Sequence, residues 1–159
     1  MKTEKYYNIL FPIWLLIWLP SPLWIVLIPA NYVVDRFVLF YSLNIEEKKA
    51  FCKRHAWKIC LMGFLADLLG SLFLFGIVLL SGDNYELANG VSMNPFKDLL
   101  SFGIIAFAVL FSAIVIYLGD LKILKKCGLE DEQAKRSALF MAILTAPYLF
   151  LFPSNILYR

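Results

Sequence analysis

The sequence is short, apolar and weakly charged. Of its 159 residues, 61% are hydrophobic and 17% are charged, with 15 Lys and Arg against 12 Asp and Glu. Soluble domains are about 45–50% apolar, and a fold this small exposes too much of its area to hide such an excess. Disorder is excluded as well, because disordered chains are poor in aromatic and apolar residues. The composition indicates an integral membrane protein.

Four apolar regions divide the chain into candidate membrane spans, at residues 8–43, 59–81, 99–118 and 137–153. A helix needs about 20 apolar residues to cross roughly 30 Å of hydrocarbon, so the last three regions each predict one crossing helix. These runs lack the alternation that is typical of membrane barrel strands. We therefore expect residues 1–159 to form a single all-α domain, a bundle of three to four transmembrane helices.

The first apolar region, residues 8–43, is too long for one straight crossing, because a helix rises only about 1.5 Å per residue. It also contains the triplet Pro20-Ser21-Pro22. Proline removes a backbone donor and restricts the residue before it, so the triplet predicts a break in the helix. The second piece, residues 23–43, then descends as a helix. Whether the region forms a hairpin or crosses once, and hence on which side the N-terminus lies, stays open.

Two turn signals predict the ends of the second helix. Asn44 and Glu47 have the spacing of a capping box, with Asn in place of Ser or Thr, which predicts a start near Ile45. Gly82 is typical of the residue just past a helix, so we expect the helix to end at Ser81.

The remaining helix ends carry similar signals. Asn94 followed by Pro95 predicts a helix that begins at the proline. This helix continues past the membrane to Cys127 and stops at Gly128. The acidic residues 130–132 favour the first turn of the last helix, where they complement the helix dipole.

The distribution of basic residues predicts the orientation. Residues 44–58 and 119–136 carry five Lys or Arg each, whereas residues 82–98 carry only Lys97. Cytoplasmic loops are enriched in Lys and Arg. We therefore expect the first two segments to be cytoplasmic, and loop 82–98 and the C-terminus to lie outside a plasma-type membrane.

Three charged residues stand inside the apolar regions: Asp35, Arg36 and Asp67. Arg36 and Asp67 lie at similar predicted depths, which favours an ion pair between them, while Asp35 points about 100° away from Arg36 on the same helix. Charges at membrane depth usually face the bundle interior and mark function. Two readings stay open: a structural ion pair, or a proton or ion relay that uses Asp35 and Asp67.

Small residues recur at helical spacing on two helices. They are Gly63, Ala66 and Gly70 on the second helix and Ala108 and Ser112 on the third. Such spacing lets helix backbones approach closely. We expect it to serve packing inside the bundle rather than self-association.

The candidates for enzyme chemistry are few. Cys52 and His55 share a helical face, which allows a membrane thiol peptidase. The three cysteines, with Cys60 and Cys127, show no paired spacing and predict neither a disulfide framework nor a zinc site. With a single histidine, no phosphate-binding glycine loop and no basic patch on a soluble element, we expect no metal, no cofactor and no nucleic-acid partner.

The first functional hypothesis is therefore a non-catalytic polytopic subunit or scaffold of a larger membrane assembly, of transport or secretion type. Its expected partners are membrane lipids and other membrane subunits, or further copies of itself. One alternative is a small oligomeric channel or carrier that uses Asp67 and Asp35. A second alternative is the thiol peptidase with Cys52 and His55.

Overall fold

The computed structural model describes Pro12, Trp14 and residues 24–158, and these residues form a helical bundle. Throughout that part of the chain the regular structure is helical, which confirms the all-α class. Short 3₁₀ turns follow the last α-helix at Tyr148–Leu151 and Ser154–Tyr158. The five α-helices are α1 (Trp24–Ser42), α2 (Lys48–Leu80), α3 (Tyr85–Met93), α4 (Leu99–Lys126) and α5 (Asp131–Leu144).

Four segments of the described chain are long and apolar enough to cross a membrane. They are α1, α2, α4 and the stretch Asp131–Leu151, of 19, 33, 28 and 21 residues. The described residues thus contain four candidate spans. The predicted helix break at Pro20, Ser21 and Pro22 lies outside the described residues.

The α1 helix turns one side toward the bundle. Its buried residues are Asp35, Leu39 and Ser42, which follow helical spacing, and Pro29 lies within the helix. At its end, Gln133 Nε2 of α5 donates a hydrogen bond of 2.9 Å to the carbonyl oxygen of Ser42. This contact ties the end of α1 to α5.

The start of α2 differs from the prediction, whereas its end agrees with it. The helix begins at Lys48, and Glu47 occupies the N-cap position without a capping hydrogen bond from its side chain. The capping box of Asn44 and Glu47 is therefore wrong, because the chain turns between α1 and α2 until Glu47. Ser81 is the C-cap, and Gly82 has a φ of 52°, a conformation that glycine adopts without steric cost.

A short helix that the sequence did not predict, α3, precedes α4. Asn84 caps it by accepting a hydrogen bond from the Leu87 backbone N–H at 3.1 Å. The α4 helix then begins at Leu99 instead of Pro95, because Asp98 is the residue that caps it. Its carboxylate accepts hydrogen bonds from the backbone N–H and the hydroxyl of Ser101, at 2.7 and 2.8 Å.

The Asp98 cap makes a testable contribution to stability. The hydrogen bonds from Ser101 hold the pKa of the Asp98 carboxyl below its ordinary value. A depressed folded-state pKa gives stability that is present above the unfolded-state pKa of about 3.9 and is lost as the pH falls through the folded-state pKa. We expect Asp98→Ala to lower the thermal unfolding midpoint at neutral pH.

Asp98→Asn is the matched control for this cap, because the amide oxygen still accepts from the Ser101 backbone. At neutral pH its unfolding midpoint should stay close to that of the native protein. At acid pH the variant should lack the decrease in midpoint that protonation of Asp98 causes in the native protein. Equal midpoints for the alanine variant and the native protein at neutral pH would show that the cap contributes nothing.

The last two α-helices follow their predicted signals in part. The α4 helix ends at Lys126 with Cys127 as its C-cap, and Gly128 has a φ of 91°. The α5 helix carries acidic residues in its first turn, as expected, but ends at Leu144. Pro147 follows shortly after, so the fourth apolar region continues as 3₁₀ turns rather than as α-helix.

The core is built around the contact between α2 and α4. Both helices also pack against α3, while α1 lies against α2 and α5, and α5 against α4. One apolar cluster, which includes Leu39, Ile59 and Leu124, fills the end of the bundle near the basic segments. A second, which includes Trp14 and Phe150, fills the opposite end, where the Trp14 indole donates to the Val91 carbonyl oxygen at 3.2 Å.

Candidate functional site

Asp35 lies in the interior of the bundle, between α1 and α2. It is only 6% exposed, although it is an acidic residue in an apolar helix. Its carboxyl group is hydrogen-bonded to the Cys60 thiol of α2. Its Oδ2 atom also lies 3.7 Å from the position that a Cβ would take on Gly63. Gly63 thus faces the Asp35 carboxyl group where α1 contacts α2.

Asp67 continues the same face of α2. Cys60, Gly63 and Asp67 are three and four residues apart, the spacing of neighbours along one side of a helix. Four residues correspond to about 6 Å along the axis, so Asp67 lies about one turn further from the basic end than Gly63. Its Oδ1 atom is buried and has no hydrogen-bond partner among the described residues.

Asp120 of α4 is a third buried carboxyl group, and it lies in the segment 119–136 that the sequence predicts to be cytoplasmic, just beyond the third apolar region. It is 0% exposed, and neither of its carboxyl oxygens has a hydrogen-bond partner in the described part of the chain. Asp67 and Asp120 both lie within electrostatic range of Asp35. A signal was available in the sequence: Asp120 falls in the four-residue repeat of α4 that buries Ser112, Ile116 and Leu124.

The three aspartates, together with Cys60, are called the acidic cluster below. It joins α1, α2 and α4 through side chains that come from different helices and share one interior region. An ionised carboxylate in an apolar interior is costly unless it is paired or hydrogen-bonded. Like charges add to that cost. The chemical species best suited to relieve it is a cation small enough to reach the interior, and a proton meets that requirement.

The predicted ion pair between Arg36 and Asp67 is wrong. Arg36 is exposed, and the ion pairs within the described residues join Lys125 and Lys135 to Asp131. Neighbours on a helix point about 100° apart. Since Asp35 takes the inward position on α1, Arg36 is turned to the outside, where it lines a groove with α2.

Four of the five predicted small residues lie where α2 and α4 approach each other. Ser112 Oγ donates a hydrogen bond of 3.1 Å to the carbonyl oxygen of Ala66. A Cβ on Gly70 would collide with Ser112 Oγ and would lie 3.5 Å from the Ala108 carbonyl oxygen. Gly63 belongs to a different contact, since it faces Asp35 of α1.

The histidine has a different thiol partner from the expected one. His55 Nδ1 contacts Cys127 Sγ at 3.3 Å, which ties α2 to the end of α4. Cys52 is only 1% exposed and packs in the apolar core near the basic end. The prediction that Cys52 is the thiol partner of His55 is therefore wrong. The physical reason is that α4 extends far beyond its apolar region and brings Cys127 to the histidine.

The carboxyl and thiol groups of the described residues do not surround a common centre as metal ligands do. Among the residues that the structure describes, no group of three His, Cys, Asp or Glu side chains is placed to hold a metal ion. The acidic cluster therefore has the form of a series of separate carboxyl groups in the bundle interior, rather than that of a chelating site.

Fold and site together define a helical bundle of membrane-spanning dimensions with an acidic cluster between α1, α2 and α4. Comparison of the chain with protein-family models, curated proteins and solved structures found no match.

Proposed function

We propose that this protein is a small membrane channel or carrier component that binds and passes protons through the acidic cluster. The observation that carries the proposal is the set of buried carboxyl oxygens without partners, on Asp67 and Asp120. Ionisable residues at membrane depth are rare, and chains of Asp, Glu and His there are typical of proton relays.

The burial of the cluster supports a functional rather than a structural role. A structural ion pair would place a cation beside each carboxylate, whereas Arg36, the basic residue adjacent to Asp35 in α1, is exposed. Burying polar groups without partners destabilises a fold by about 1–3 kcal/mol each. Such a cost is retained where the groups exchange a ligand during function.

The spacing of the cluster favours protons over a coordinated metal ion. Asp35 and Asp67 belong to levels of the bundle that are about one helical turn apart. A metal ion requires several ligand atoms around one centre. A proton can pass between separate carboxyl groups through intervening water, because each group can accept and donate it in turn.

The proposal is tested by proton flux into liposomes that contain the purified protein and a pH-sensitive dye. We expect Asp67→Asn and Asp35→Asn to reduce the flux, because an amide cannot carry the proton. The expected loss is on the order of 10²-fold, the lower end of what one positioned proton-transfer group contributes.

Asp83→Asn is the matched control for this assay, because Asp83 is an exposed aspartate outside the helices. It should leave the flux unchanged. Native flux that persists in both cluster variants, or that falls equally in the control, contradicts the proton-relay role.

A second proposal keeps the first sequence-based hypothesis, a non-catalytic subunit of a larger membrane assembly. It is supported by the exposed basic residues Lys49, Lys53 and Arg54 at the start of α2, which offer a charged docking surface. If the native protein gives no flux by itself but co-purifies with a membrane complex in stoichiometric amount, this proposal replaces the first.

The orientation also remains a proposal. The two basic segments lie at the same end of the bundle, next to the Ser42–Gln133 contact. By the distribution of Lys and Arg, we propose that this end faces the cytoplasm. Labelling of a single cysteine placed at Asp83 from outside intact cells, with protection of one placed at Lys49, tests it.

A further inference from the structure

A groove of about 650 Å³ lies between α1 and the first turns of α2, on the outside of the bundle. Its charged lining residues are all cations: Arg36 from α1, and Lys49 and Lys53 from α2. The two lysines are four residues apart and therefore project from one side of α2. Both the groove and its charges are separate from the acidic cluster, which lies on the interior side of α1.

No salt bridge within the described residues joins a cation of the groove to an acidic side chain. The ion pairs in the described part of the chain involve Asp131 and two other lysines, on α4 and α5. Next to the groove, Lys48 Nζ lies over the Phe40 ring, 4.7 Å from its centroid. This contact places a fourth positive charge beside the groove. The groove should therefore attract an anion.

The remaining walls of the groove are aromatic and apolar. Phe37 and Tyr41 follow Val33 at four-residue spacing on α1, and the three side chains are more than half exposed. Arg36 lies six residues inside α1 from Ser42, which is about 9 Å along the helix axis. A ligand that contacts Arg36 therefore reaches from the polar end of the bundle onto its apolar outer surface.

We propose that this groove binds the phosphate head group of an anionic phospholipid, with an acyl chain lying along the aromatic face of α1. The Arg36 guanidinium forms paired hydrogen bonds with phosphate oxygens, a geometry that arginine provides and lysine does not. Lys49 and Lys53 complete the positive surface at head-group level, as basic pockets between transmembrane helices do. A soluble anion would satisfy the cations but would leave the aromatic wall without a partner.

Native mass spectrometry of the purified full-length chain tests this proposal. The protein is titrated with phosphatidylglycerol and, in parallel, with phosphatidylcholine of the same acyl chains. We expect selective retention of phosphatidylglycerol. Arg36→Gln should weaken its apparent affinity about fivefold, and the double variant Lys49→Gln with Lys53→Gln by about fivefold for each charge removed.

The matched control is the double variant Lys122→Gln with Lys126→Gln. These lysines are exposed, four residues apart and near the same end of the bundle, but lie on α4 outside the groove. The control removes the same charge and should retain phosphatidylglycerol as the native protein does. Arg36→Lys keeps the charge and should recover part of the affinity. If Arg36→Gln does not fold, the two double variants decide the question.

Three results would overturn the proposal. Equal retention of the two lipids would show that the phosphate charge is not recognised. Equal losses in the groove and control variants would show attraction by net charge only. Displacement of phosphatidylglycerol by an equimolar amount of inorganic phosphate would identify a site for a soluble anion. The proposal requires that the helices cross a membrane, but it does not depend on proton transfer by the acidic cluster.

Discussion

Replacement of Asp120 by valine is expected to stabilise the bundle and to abolish proton flux at the same time. The Asp120 side chain is fully buried, and both of its carboxyl oxygens are without partners among the described residues. Valine is the branched apolar residue nearest to it in size. Removing an unsatisfied buried polar group recovers its desolvation penalty, so the free energy of unfolding should rise by about 1–3 kcal/mol.

Reversible unfolding in mixed micelles measures the stability, and the liposome assay measures the flux. Asp120→Asn keeps the shape of the side chain and should also lose flux, with a smaller gain in stability because the amide remains unsatisfied. Asp83→Val, at an exposed position, serves as the control and should change neither quantity appreciably. A loss of stability in Asp120→Val would show that the carboxyl group has a structural partner, and would remove the main support for the relay.

Substitution of Gly70 by alanine is expected to destabilise the described bundle. Its Cβ would collide with Ser112 Oγ and would lie 2.9 Å from Phe150 Cε2. If Ser112 moved to relieve this collision, its hydrogen bond to the Ala66 carbonyl oxygen would be strained. Overpacking of this kind costs about 1–3 kcal/mol in the free energy of unfolding.

Gly76→Ala is the matched control on the same helix. A Cβ on Gly76 meets no atom within 4 Å. This variant should gain about 0.5–1 kcal/mol, because alanine loses less conformational freedom in a helix than glycine. The two glycine variants should therefore differ in sign. Similar unfolding free energies for both would mean that α2 and α4 do not pack closely at Gly70.

Helix ends were predictable where the signal was a glycine and less so where it was a polar cap. Gly82 and Gly128 have positive φ angles and follow α2 and α4 as expected. At the start of α4, the sequence predicted Asn94 as the cap, whereas Asp98 caps the helix. Gly90 of α3 lies directly against Ser101 in the first turn of α4, a contact that no local pattern reveals.

The candidate site was predictable in part. The residues Asp35 and Asp67 were identified because a charge in an apolar run is visible in the sequence. The partners of these residues could not be predicted. Arg36 and Asp67 have similar depths in the sequence, but depth does not tell whether Asp35 or Arg36 faces the bundle interior. Asp120 could not be found in this way because it lies two residues beyond the third apolar region, although the buried face of α4 continues to Leu124.

Composition by itself determined the kind of molecule, a helical protein whose apolar runs are long enough to cross a membrane. Run length and hydropathy are local quantities, and hydrogen bonding within each helix needs no distant residue. Only the tertiary structure decided which charges share the interior and which line the outer groove. That outcome depends on the rotation of each helix about its axis, which is set by packing against its neighbours. The weak charge of the chain thus separates into an acidic interior, at Asp35, Asp67 and Asp120, and a basic surface around Arg36.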